Sequence, residues 1–149
     1  RRHTRYISVT GVQTCALPIY ADDIIFAENY SKNIYWCTCP NANLYIENKL
    51  PDCNLFIAAG AKITVGTDSL ASNYSLSVVD ELKTISNYFP EIKLETLLQW
   101  ATLNGAQALG FQNELGSFER GKKPGVVLIE NVDAENCRLT EMSSVKRLV

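Results

Sequence analysis

Short β-structured runs alternate with segments of helical period over most of this chain, and that alternation limits the folds open to it. NIYWCTCP (33–40) and KITVG (62–66) are rich in β-branched or aromatic residues and stop at a proline or a glycine, which predicts two buried strands. Segments of helical character flank them. ADDIIFAENYSK (21–32) has apolar residues at 24, 25, 26, 27 and 30 and acids in its first turn. PDCNLFIAA (51–59) opens on a proline at a plausible first helical position and stops at Gly60. Residues 75–88 are apolar at 76, 78, 79, 82 and 85, followed by Phe89 and closed by Pro90. Residues 94–109 read as one long helix or two, ended by Gly110, whereas NANLYIENKL (41–50) reads as an irregular connection with one turn of helix at most. After that the period changes, and GVVLIENV (125–132) and CRLTEM (137–142) read as strands joined by a polar turn. Strands separated by helices predict a parallel sheet with crossover helices. Two such strands alone would leave both flanks unpaired, so the pattern predicts the end of a larger α/β domain.

The 149 residues are 46% hydrophobic and 20% charged, as in ordinary globular domains. A net charge of −2 gives no support to a nucleic-acid or anionic-membrane surface. No apolar run approaches the roughly 18 residues needed to span a bilayer. The five cysteines are odd in number and form no regular framework, so they read as reduced thiols of a cytoplasmic protein. Residues 1–19, RRHTRYISVTGVQTCALPI, stand apart: three arginines, no acid, no clear period and the chain's only histidine, His3. They lack the long apolar stretch of a signal peptide and closely resemble translated sequencing-adapter read-through, so they are set aside as a non-native segment.

Ligands of parallel α/β folds gather at the carboxyl ends of the strands. One such end carries Cys37, Cys39, Pro40, Asn41 and Asn43; the other carries Gly66, Asp68, Ser69, Ser72 and Asn73. Gly66 is expected to permit a tight turn. Asp68 can then ligate a cation, act as a general base, or cap the following helix, and spacing alone gives the cap about half the weight. Cys37 and Cys39 face the same side of a strand, where core packing is favoured over a zinc thiolate pair. Asn41 and Asn43 could bind substrate or satisfy loop backbone. Cys53 and Cys137 read as structural, Trp36 and Trp100 as core, and RGKKPG (120–125) as a solvated turn.

CPNANLYI, KITVGTDSLASN, ATLNGAQALGF and LGSFERGKKPGVVLIENVD follow one another in an order and spacing that resembles the C-terminal end of the amidohydrolase superfamily, nearest its cytosine-deaminase-like and chlorohydrolase-like branch. The resemblance covers essentially all of residues 20–149. It implies an α/β fold: the C-terminal part of a (β/α)8 TIM barrel over residues 20–112, then strands of a flanking composite β-sandwich over 113–149. It implies a metal-dependent hydrolase that cleaves C–N bonds of a cyclic, nucleobase-like substrate with metal-activated water, the metal being zinc or iron. Asp68 then looks like the catalytic and metal-binding aspartate after the last barrel strand. Asn43 and Asn73 look like substrate-binding positions, and Ser69, Ser72 and Asn73 like supports for the loop around Asp68. The family's histidine ligands and proton-shuttling glutamate have no counterpart in residues 20–149, and Thr38 stands where many relatives have histidine before Cys-Pro. The chain alone is therefore expected to be inactive and to bind no metal. The expected partner is a small-molecule substrate, with no nucleic acid or membrane, and homo-oligomerisation is left open. The rival reading is a non-catalytic α/β binding module in which Asp68 is a helix cap.

Overall fold

The computed structural model describes residues 12–13, 20–31 and 33–149. The expectation of a non-native segment at residues 1–19 falls outside these, apart from Val12–Gln13. Strands β1 (Val12–Gln13), β2 (Tyr35–Thr38) and β3 (Lys62–Val65) form a parallel sheet in the order β1-β2-β3. The register sets Tyr35 opposite Lys62 and Thr38 opposite Val65, so β2 and β3 end side by side. The Gly66 amide donates to the Thr38 carbonyl at 2.9 Å and carries the ladder one residue further. Among the described residues, no strand covers the outer edge of β3.

Helix α1 (Ala21–Tyr30) starts where Asp23 reaches back to accept from the Tyr20 backbone amide at 3.0 Å. After β2 the chain enters α2 (Pro40–Glu47) directly and stops at Asn48, whose φ of +50° is left-handed. This is a full helix where an irregular connection was expected. Pro40 at its first turn loses no hydrogen bond there and presets φ, and that outweighs the poor helix propensity of Asn41 and Asn43. Helix α3 (Cys53–Ala58) is capped by Asp52, which accepts from the Asn54 amide at 2.9 Å, so Pro51 lies just outside the helix. Helix α4 (Val78–Tyr88) is capped by Ser77. The 94–109 segment is continuous: α5 (Leu94–Gln99), a π turn at Trp100–Asn104, and α6 (Gly105–Ala108).

The core lies where α1, α3, α4 and the α5–α6 segment meet the sheet. It joins Ile24, Phe56, Ile63, Leu82, Ile85, Leu97 and Trp100, and each fully buried large side chain there contributes about 1.5–3 kcal/mol. Trp100 is core as expected. Trp36 is only partly buried, edge-on to Phe56 at 5.2 Å, with its indole N–H donating to Glu28 at 2.9 Å.

The C-terminal region corrects a second expectation. Strand β4 (Val127–Glu130) pairs antiparallel with β5 (Ser144–Arg147), not with residues 137–142. The Thr140 and Ser143 hydroxyls both donate to the Asn131 carbonyl, at 2.8 and 3.0 Å, and curl 137–142 into a loop. Cys137 in that loop is exposed, with φ +49°, so it is not a packed structural residue.

Candidate active site at the ends of β2 and β3

The residues singled out in the sequence sit at the adjacent carboxyl ends of β2 and β3, those after β2 at Cys39 and in the first turns of α2 and those after β3 in a loop. Gly66 has a role other than the turn expected of it. A Cβ there would stand 2.9 Å from the Cys37 sulfur and 3.2 Å from the Cys39 sulfur, so glycine keeps this close approach free of a shift in either thiol. The hydrogen bond between the two thiols and their burial push the Cys37 thiol far up.

The left-handed residue of the turn is Asp68 itself, at φ +55°. Aspartate tolerates this conformation better than most side chains. Its side chain is held by the Ser72 hydroxyl, which donates to Oδ2 at 2.7 Å, and Ser72 lies 3.1 Å from the Ser69 hydroxyl. Oδ1 accepts no hydrogen bond among the described residues, and Asp68 is exposed. Asp68 caps no helix. The next one, α4, begins at Val78 and takes its cap from Ser77, which accepts from the Asp80 amide at 3.4 Å. The cap on which the rival reading rested is thereby removed.

Asn73 is buried and braced. Its Nδ2 donates to the Thr67 carbonyl at 2.7 Å and to Glu81 Oε1 at 2.6 Å. These contacts brace the loop before Asp68, with both amide hydrogens engaged inside the protein. Asn43 differs. It is 4% exposed, and its Oδ1 has no hydrogen-bond partner among the described residues. The Thr38 hydroxyl is equally without one. A buried acceptor left unmatched costs about 1–3 kcal/mol, so each marks a place where a donor from water or a ligand is gained cheaply. Asn41 joins α2 to α4, its Oδ1 accepting from Thr84 Oγ1 at 2.5 Å.

Sequence reasoning missed Glu81. It is 0% exposed, and accepts from the Asn41 backbone amide at 2.8 Å as well as from Asn73. Burial pushes its carboxyl up, against the pull of these donors. The signal was present: Glu81 stands four residues before Ile85, which is also fully buried, and so lies on the inward stripe of α4.

The amidohydrolase family profile matches residues 3–148. The chain belongs to the amidohydrolase family. It is 34% identical over 99 residues to a 5-methylthioadenosine/S-adenosylhomocysteine deaminase of Moorella thermoacetica, covering 62% of this chain and 23% of that protein. Its fold resembles a zinc-bound adenosine deaminase from Xanthomonas campestris, with a TM-score of 0.66, 27% identity and coverage of 75% of this chain and 27% of that one. It also resembles Helicobacter pylori aminofutalosine deaminase, at a TM-score of 0.62, 30% identity and coverage of 70% and 27%. The chain thus spans about a quarter of the length of these amidohydrolases.

The donor set can be tested against a zinc ion such as the Xanthomonas structure holds. Among the described residues, no three His, Cys, Asp or Glu side chains converge as a metal site requires. Asp68 has no second or third such side chain beside it with which to form one. No helix among them is long and apolar enough to cross a membrane.

Proposed function

We propose that this amidohydrolase chain is the C-terminal part of a deaminase-type hydrolase. Residues 20–112 form the last strands and helices of a (β/α)8 barrel, residues 113–149 return to a flanking β-sandwich, and residues 1–19 are not native to it. The substrate is a cyclic, nucleobase-like molecule. Water adds to a ring carbon, the C–N bond breaks and ammonia leaves. The relatives' names support this class, since each is called a deaminase. The parent enzyme would use a divalent metal, zinc or iron, with its remaining ligands outside the described residues. The chain alone is inactive.

One observation carries the reading: Asp68 stands at the end of β3 in a left-handed turn, with Ser72 fixing one carboxylate oxygen and the other free. A carboxylate so held takes the proton from the attacking water. Asn43, at the neighbouring strand end, presents a buried carbonyl that accepts from an amino or ring N–H of the substrate. Asn73 acts on the substrate through the loop it braces.

The test is to read the source DNA upstream of the Tyr20 codon, express the extended frame and follow ammonia release from purine nucleosides and bases. Asp68→Asn keeps an acceptor for Ser72 and tolerates the positive φ, so the enzyme folds normally. Its kcat is expected to fall by about 10²–10⁴. An unchanged kcat would remove Asp68 from the chemistry.

A further inference from the structure

Glu81 is the one buried carboxylate among the described residues that the proposed chemistry does not use. We propose that it is a positioning residue, which ties the loop after β3 to the start of α2 at the neighbouring strand end and holds Asp68 through Asn73 and Thr67. The inference rests on the reading of Asp68 as the reactive carboxylate and adds what aims it.

The chain of contacts is continuous. Glu81 leaves the inward face of α4 with no solvent exposure. Oε2 accepts from the Asn41 backbone amide at 2.8 Å, in the first turn of α2 just after β2. Oε1 accepts from Asn73 Nδ2 at 2.6 Å, on the loop after β3. The same Nδ2 donates its second hydrogen to the Thr67 carbonyl at 2.7 Å, the residue before Asp68. A carboxylate suits this place because it is acceptor-only at both oxygens and meets two donors from two elements. A carboxamide cannot do the same. Glutamine at 81 could accept from Asn41, but its NH2 would then face the NH2 of Asn73. Asn73 would have to turn over, presenting its carbonyl to Gln and to Thr67 O alike, and the Thr67 carbonyl would lose its donor. No other side chain donates to that carbonyl among the described residues, so the peptide that leads into Asp68 would be released.

The experiment is amide hydrogen exchange by ¹H–¹⁵N NMR on the 149-residue chain. In Glu81→Gln, the Asn73 carboxamide and the backbone amides of Ser69 and Ser72, which donate within the loop to Ser72 Oγ at 3.3 Å and to the Ser69 carbonyl at 3.1 Å, are expected to exchange roughly ten- to hundredfold faster, with the amides of Leu82 to Ser86 in α4 unchanged. A purely structural role would instead lower protection along α4. Adding Asn73→Asp to Glu81→Gln restores a donor–acceptor pair between 73 and 81 but gives Thr67 O no donor, so the Ser69 and Ser72 amides stay fast. If Glu81→Gln unfolds α4, Asn73→Ala cuts the same link from the loop side, and fast exchange at Ser69 and Ser72 with α4 intact is expected. Exchange at both Ser69 and Ser72 within twofold of wild type, in whichever of these variants retains α4, overturns the proposal. None of these readings depends on turnover. A failed clamp leaves the Asp68 chemistry standing, and a null kcat effect of Asp68→Asn leaves the clamp standing.

Discussion

At the scale of single residues, the site is shaped by what its small side chains leave room for. Gly66 lies against two sulfur atoms, and the residue that takes the left-handed turn is the functional candidate itself. Gly66→Ala is therefore expected to destabilise the chain by about 1–3 kcal/mol through overpacking. Cys37→Ala in the same background removes the nearer sulfur, 2.9 Å from the new methyl, and should recover part of that loss. Urea unfolding of the two single variants and the double variant measures the coupling. Simple additivity would show that the contact with Cys37 does not require the glycine.

At the scale of elements, the helix after Phe89 shows how the strand that carries Asp68 is held. The segment from Leu94 to Ala108 winds through a π turn at Trp100–Asn104, and Asn104, at its end, donates from Nδ2 to the Ile63 carbonyl of β3 at 2.7 Å. π turns in otherwise α-helical segments often re-aim a side chain, and here the side chain aimed is an amide that meets a strand carbonyl. Asn104→Ala leaves that buried carbonyl without this donor and opens a small void. The expected loss is about 1–3 kcal/mol, read as a lower urea midpoint at unchanged m-value. A loss below about 0.5 kcal/mol would show that water replaces the amide without cost.

Much of this layer is legible in the sequence, for a physical reason. The strands at 35–38 and 62–65 and the helix at 78–88 announce themselves because side-chain burial sets their period. Helix α2 is hidden because its two asparagines favour turns, although Pro40 at its first turn was a usable start signal. Strand β5 is hidden because all four of its residues are exposed, and an exposed strand needs no apolar alternation. Residues 137–142 mislead in the opposite sense: Leu139 is buried from a loop, so an apolar residue there records a contact and not a strand. In the site, Asp68, Ser72 and Asn73 can be picked out from their place at a strand end, and the resemblance supplied their roles, while Glu81 is overlooked because a glutamate in the first turn of an amphipathic helix ordinarily faces water, even though its register with Ile85 marks the inward stripe.

At the scale of the whole molecule, the question is how much of a reaction centre this chain can hold. The parallel sheet places both candidate loops at one end, which is the arrangement that ligand sites of parallel α/β proteins use. The same sheet leaves the outer edge of β3 without a strand among the described residues. Beside it runs an open groove lined by Leu109, Phe111, Leu115, Phe118, Val126 and Val127, and all six of these side chains are exposed. The proposed donor set follows the same pattern: among the described residues it offers the Asp68 carboxylate alone, where a zinc centre needs about three protein ligands and an open position. Lone aspartate ligation competes poorly with water for a divalent cation. The purified 149-residue chain, expressed with zinc and desalted, is therefore expected to carry far less than one equivalent, as counted by elemental mass spectrometry. Supplementation with iron should give the same answer, since one oxygen ligand satisfies neither metal. One tightly held equivalent that disappears in Asp68→Ala would mean that residues beyond those described complete a centre around Asp68 within this chain. One that survives Asp68→Ala would place the metal elsewhere, and the proposed role of Asp68 as a metal ligand would fall with it.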